Sequence, residues 1–321
     1  MTESGRKGYG MAIDRRTFLK GVAAGSLAAG FGMIDGAGRG IGLGREAGAA
    51  SGATTSLAVA KGAPPETLVR NAVRALGGMQ RFVRKGDVVL LKPNIGWDRT
   101  VEQAANTNPE VVKAVARMCI EAGAKRVRVM DRPCNDPRRC YKNSGIKDAI
   151  ESIGDPAVTI EHMDARKFVD RAFRGSKTLP GWSFYKDVLE ADRLINIPIA
   201  KHHNAARLTM SLKNVMGVLG GNRGNIHHDL DQNIVELNTV VKFDLIVLDA
   251  VRILTANGPQ GGRLQDVRKI DTVVAGTDPV AVDAYGATLF GIAGRDVPHV
   301  LYAAQKGLGE IDLAKVRILK A

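Results

Sequence analysis

Short β-rich apolar runs alternate along this chain with segments whose apolar residues recur at helical spacing. The runs are Ser56 to Ala60, Val88 to Leu91, Arg126 to Met130, Val158 to His162, Leu194 to Ile199, Leu245 to Leu248, Thr272 to Ala275 and Val316 to Leu319. Between them, Val111, Val112, Val115, Met118, Cys119 and Ala122 fall on one helical stripe. Asn108-Pro109-Glu110 and Asp278-Pro279 each supply an N-cap oxygen followed by a proline with φ preset for a first turn, and Gly123 suits a helix C-terminus. Strands alternating with helices predict an α/β fold: a largely parallel sheet with flanking helices, built from βαβ units, in one body or two lobes. The spacing of Leu208, Leu212, Val215 and Leu219 predicts a helix over Arg207 to Gly220 with Lys213 and Asn214 off the apolar stripe. Ile234, Leu237 and Val241 predict another.

The candidate chemistry lies at the ends of the strands. Val88 to Leu91 runs into Lys92-Pro93-Asn94, Val127 to Met130 into Asp131-Arg132-Pro133, Ile195 to Ala200 into Lys201-His202-His203, and Ile246 to Leu248 into Asp249. Open parallel sheets bind ligands beyond the carboxyl ends of their strands, so these side chains are expected on one rim; solubility of strand ends alone is the plainer alternative. Lys92, Lys201 and Lys213 would hold a phosphate or carboxylate, Asn94 and Asn214 would orient it, and His202 or His228 would shuttle a proton near neutral pH. The glycine-rich run Gly220 to Asn225 offers backbone N–H groups for an anion, with Arg223 adding charge. Asp283, among apolar neighbours, either faces this site as a catalytic acid or reaches a neighbouring loop. The Asn257-Gly258-Pro259 turn suggests close backbone approach, with Asn257 a candidate ligand contact.

Four of the six histidines form two adjacent pairs, His202-His203 and His227-His228, near carboxylates. Imidazole with carboxylate suits a divalent transition metal, and adjacent residues point apart, so one of each pair would bind. The candidate ligands are His203, His227, Asp131 and Asp249. Asp229 or Asp231 capping the following helix is the alternative use of the nearby acids.

The formal charge is +13, about +10 without the first 50 residues, which favours anionic ligands. The basic residues are scattered, only 5% of residues are aromatic, and no nucleic-acid motif is present, so nucleic acid is not expected as a partner. Cys119 belongs to a core stripe; Cys134 and Cys140 bracket a polar loop, where a disulfide and free thiols both remain open. No close series of cysteines supports an iron–sulfur cluster.

Residues 14–20, Asp14-Arg15-Arg16-Thr17-Phe18-Leu19-Lys20, resemble a twin-arginine export signal. The uncharged stretch Gly21 to Ile34 is shorter than the roughly 20 residues a spanning helix needs, and Ala47-Gly48-Ala49 suits a signal peptidase. The expectation is therefore a leader over residues 1–50, passage through the twin-arginine translocon, no stable membrane anchor, a periplasmic or extracellular location, and a mature domain over 51–321.

Taken in order, Lys92-Pro93-Asn94, Lys201-His202, Lys213-Asn214 with Gly217, a histidine near 227, Asn257-Gly258-Pro259 and Asp278 to Asp283 resemble the domain-of-unknown-function-362 family. The resemblance implies an α/β domain often found beside or fused to ferredoxin-type modules, in a family without a generally assigned reaction. Lacking that cysteine-rich module, the chain would need a separate redox partner or another cofactor for electron transfer. The functional expectation is an exported enzyme of unassigned reaction acting on an anionic small molecule or cofactor, with or without a divalent metal. The alternative is a non-catalytic binding or assembly factor of a periplasmic redox system.

Overall fold

The computed structural model describes residues 55–321 except 174 and 177; the leader expected over residues 1–50 lies outside the described residues. The chain runs β1 (Ser56–Lys61), α1 (Pro65–Ala75), β2 (Val88–Pro93), α2 (Pro109–Glu121), β3 (Arg126–Val129), α3 (Pro137–Asn143), α4 (Ile146–Glu151) and β4 (Val158–Ile160). Next come β5 (Phe168–Ala172), β6 (Gly181–Tyr185), α5 (Lys186–Glu190), β7 (Arg193–Ile197), β8 (Ile199–His203), β9 (Arg207–Thr209) and α6 (Ser211–Asn214). The last part comprises α7 (Leu230–Val240), β10 (Leu245–Leu254), β11 (Val267–Gly276), α8 (Pro279–Thr288), α9 (Pro298–Gln305) and β12 (Arg317–Lys320).

One mixed sheet has the order β12-β1-β11-β10-β7-β2-β3-β4, with β8 and β9 attached at β10. The run β10-β7-β2-β3-β4 is parallel throughout, and β11 alone runs antiparallel to both its neighbours, β1 and β10. The expected α/β fold with a largely parallel sheet is therefore what the chain forms, and the described residues make one unit rather than two lobes. A parallel strand covered on both faces reads as a continuous apolar run, and β2 shows why. Val89 and Leu91 enter the core shared with α1 and α2, while Leu90 enters the core shared with α7 and α8. The caps form as the sequence implies: the Asn108 side chain accepts from Glu110 N, and that of Asp278 from Val280 N and Ala281 N.

Two parts of the sequence reading are corrected. Arg207 to Gly220 is not a helix but a strand, one short α-helical turn and a 3₁₀ turn, Val215–Val218. Arg207 sits at φ 59° and Met210 at φ −155°, neither compatible with a helix. Its apolar residues fit a helical stripe although the segment is buried on every side, Leu208 through Gly220 included. The second correction is an addition, the antiparallel hairpin β5–β6, which pairs Phe168 with Tyr185 and Ala172 with Gly181. Among the described residues, no helix is long and apolar enough to cross a membrane.

Candidate functional site

A cavity of about 540 Å³ opens where β2, β3 and β8 end, closed on the far side by α6 and the Gly221–Gly224 loop. Lys92 lies two residues beyond Leu90 and so on the same face of β2, aimed at α6. It is fully buried, and its Nζ donates to Asp131 Oδ1 (2.7 Å), Pro93 O (2.7 Å) and Asn214 Oδ1 (3.2 Å). All three N–H groups are thus in use. The second Asp131 oxygen accepts from Ile95 N at 2.7 Å, so the pair braces β2 against β3 rather than offering free donors. Burial pushes the Lys92 amine down, and the Asp131 carboxylate pulls it back up. Gly217 makes this fit possible: a Cβ there would land on Asp131 Oδ1 and Lys92 Nζ.

A chain of amides positions the other cations. Asn214 Nδ2 donates to Asn196 Oδ1 (2.8 Å), Asn94 Nδ2 to Asn214 Oδ1 (3.0 Å), and Lys201 Nζ to Asn94 Oδ1 (3.2 Å) and to Ala105 O. Lys201 keeps one Nζ position unused. Burial above all, then repulsion from Lys213 and Lys92, brings its pKa down to about 7. Lys213 is also buried, with Met216 Sδ at 3.3 Å as its hydrogen-bond contact; burial chiefly, then Arg223, lowers it to about 8. Neither amine has a carboxylate partner among the described residues, although both line the cavity.

His203 and His227 line the same cavity with ring centroids 6.4 Å apart. His203 Nδ1 accepts from Ala205 N (3.2 Å) and Ala206 N (3.1 Å), so its neutral ring carries the proton on Nε2 and is a donor there. Burial, reinforced by Lys213 and Lys201, pushes its pKa to about 2, which keeps it neutral. His227 is the converse: Nδ1 faces Arg223 O at 3.3 Å and must donate, leaving a lone pair on Nε2. Its pKa is lowered by burial and then by Lys213.

The remaining expected residues fall elsewhere. Asp249 is buried outside the cavity lining and accepts from Asn108 N and Val251 N; burial raises its pKa to about 6. Asp283 is fully buried and accepts from Ser211 N (2.7 Å) and Leu212 N (2.9 Å), so it reaches the neighbouring segment and holds the start of α6. His202 Nδ1 accepts from Gly258 N, and Asn257 Nδ2 donates to Asp266, both away from the lining. The close approach at this turn is to β8 itself, since a Cβ on Gly258 would strike the His202 carbonyl. His228 is exposed and not part of the lining. Of the proposed metal ligands, Asp131, His203 and His227 line the cavity and Asp249 lies apart; Asp131 is held by Lys92, and no cluster of three His, Cys, Asp or Glu suited to a metal occurs among the described residues.

Arg223 faces the cavity as a brace, donating to Arg132 O, Met216 O and Pro133 O. Arg132, in the strand-end set but given no role there, donates from Nη1 to Leu219 O and Gly221 O; Trp97, Thr209 and Met216, which the sequence did not single out, also line the cavity. Arg132 was legible in the strand-end pattern, one residue past Asp131. Cys134 and Cys140 are free thiols, the first exposed and the second buried; Cys134 Sγ lies 3.7 Å from Arg223 Nη2.

Fold and site define a class: an α/β protein with a basic hollow beyond the carboxyl ends of its parallel strands. The chain belongs to the family described as Domain of unknown function (DUF362), whose model matches residues 89–288. It is 29% identical over 249 residues to the Thylakoid-associated protein sll1697 of Synechocystis sp., covering 75% of this chain and 74% of that one. Among solved structures it resembles a protein from Thermotoga maritima (10% identity, TM-score 0.45) and the lactate racemase apoprotein from Thermoanaerobacterium thermosaccharolyticum (11% identity, TM-score 0.42). Each covers 72% of this chain, and the chain spans 60% and 56% of their respective lengths.

Proposed function

We propose that the chain binds an anionic small molecule or cofactor in this cavity and transfers a proton to or from it. The observation that carries the reading is that Lys201 and Lys213 are buried against the cavity without a carboxylate partner, while Asp131, the carboxylate in the lining, is already engaged by Lys92. Buried cationic groups are stable when something neutralises them, and a bound anion does so. Lys213 Nζ, the unused Lys201 Nζ position and the His203 Nε2–H are the donors the site keeps free for it. An amine near pKa 7 and the open His227 nitrogen are suited to taking and returning a proton at neutral pH, which favours an enzyme over a passive binder.

Calorimetric titration of phosphate, sulfate and small mono- and dicarboxylates into wild type, Lys213→Met and Lys201→Met tests this. Methionine keeps the buried volume, so the fold should survive. Expected is at least a tenfold loss of affinity in Lys213→Met; equal affinity in all three, or no anion bound by wild type, would remove the proposal. The setting we propose is the cell envelope, reached through the twin-arginine leader, with any redox partner a separate protein. Replacing Arg15 and Arg16 by Lys should leave the precursor in the cytoplasm.

A further inference from the structure

Beside the cationic cavity lies a second one of about 520 Å³, and the two share Asp131, Arg132, Pro133 and Gly221 as walls. Their chemistry differs. The first is lined by Lys92, Lys201, Lys213 and Arg223, the second by His162, Met163, Ala165, Phe168 and Ser183, with Asp170 as its own acid and no lysine or arginine besides the shared Arg132. Partial burial, then the Lys147 charge, lowers the His162 pKa.

The hairpin β5–β6 builds this second wall. Phe168 lies on β5 and Ser183 on β6, and Gly220 N donates to Ser183 O at 2.8 Å, fastening the hairpin to the segment leading into the first cavity. Gly220 is required for that approach, since a Cβ there would press on Phe168 and Ser183. Arg132 stands at the junction: its guanidinium lies 5.7 Å from the Phe168 ring centroid, and its Nη1 is tied to Leu219 O and Gly221 O.

We infer that the two cavities are the two halves of one ligand site: the first takes an anionic head group and the second an uncharged, ring-bearing body, with Arg132 clamping the link between them. This rests on the anion reading of the first cavity and names the ligand class. It assigns a recognition role to Phe168, Met163 and Arg132 and gives the hairpin a function. A cationic half joined to a partly aromatic half that has no lysine or arginine of its own selects a molecule anionic at one end and apolar at the other, and each volume falls in the range of small-molecule pockets.

The test compares two pairs of probes, phosphate with phenyl phosphate and acetate with phenylacetate, by calorimetry on wild type and Ala165→Trp. Ala165 is exposed at the second cavity, so an indole there fills it without touching the first, and circular dichroism verifies the fold. In wild type the ring-bearing member of the pair that binds should be about tenfold tighter or better, the size expected from burying a ring face. In Ala165→Trp that advantage should vanish while the small anion keeps its affinity. Equal affinity of ring-bearing and small anions in wild type, or an advantage undiminished in Ala165→Trp, overturns the two-part site and leaves the anion reading standing. Absence of binding by all four probes overturns the two-part site, and if sulfate and small dicarboxylates also fail to bind, the anion reading falls with it.

Discussion

Replacing Asp131 by Asn strips a fully buried lysine of its counter-charge. Lys92 Nζ would retain Pro93 O and Asn214 Oδ1, but the 2.7 Å contact to a carboxylate would become one to a neutral amide. Breaking one side of a buried pair costs about 3–5 kcal/mol, because the remaining charge stays in a poor solvent. With an unfolding entropy of about 2.1 cal/mol/K per residue over a domain of about 270 residues, that is a fall in Tm of roughly 5–9 °C. The deficit has a definite pH dependence. Without Asp131 the folded Lys92 amine sits further below its unfolded value, so the unfolded chain binds more protons and stability rises with pH up to about 10. Asp131→Asn should therefore lose less at pH 9 than at pH 7. Denaturant titrations of Asp131→Asn, Lys92→Met and the double variant Lys92→Met/Asp131→Leu at both pH values measure this. The double variant should lose clearly less than the sum of the single losses, since it leaves no orphaned charge. Additive losses, or an Asp131→Asn variant as stable as wild type at pH 7, would refute the view of the pair as the brace between β2 and β3.

Other outcomes rest on the same geometry. Gly217→Ala should destabilise by about 1–3 kcal/mol through overpacking against the Lys92–Asp131 pair, seen as a lower denaturant midpoint with unchanged slope. Asp283→Ala should cost about 2–5 kcal/mol by leaving Ser211 N and Leu212 N without their acceptor and opening a small void, and should weaken anion binding because α6 carries Lys213. In the ligand-free protein, Lys201 and Lys213 have folded pKa values of about 7 and 8, below the unfolded value. The unfolded chain then binds more protons between about pH 7 and 10, so these two residues should make stability rise across that window, and Lys201→Met should flatten the rise.

The parts of the fold that were legible in the sequence are those where burial is one-sided or periodic. The stripe from Val111 to Cys119 behind Asn108-Pro109 is α2, and the uninterrupted run Val88 to Leu91 is a strand covered on both faces. Residues 208–220 were not legible, because a segment buried all round satisfies a helical template without being a helix. The hairpin β5–β6 was missed for the opposite reason: Phe168–Ala172 is half exposed, with Asp170 and Arg171 facing solvent, and carries little apolar signal. At the site, strand ends at 92, 131 and 201 meet around one cavity, as parallel topology requires, but Asp249 does not. β10 continues past it to Leu254 beside β8, so Asp249 lies inside the strand, where its carboxylate serves the backbone of Asn108 and Val251. Which histidine nitrogen carries a proton has no trace in the sequence at all, since it depends on backbone N–H groups brought up by the turn after β8.

Proton uptake on anion binding tests the central claim most directly. Sulfate does not itself titrate near neutral pH, so its binding enthalpy at pH 8, measured in buffers of different ionisation enthalpy, reports protons taken up by the protein alone. With Lys201 near 7 and Lys213 near 8, the free protein holds these amines largely or half deprotonated, and a dianion beside them should draw in about half a proton or more per site. Enthalpies independent of the buffer, with sulfate bound, would mean that the anion sits away from the buried lysines and that the cavity is not its site.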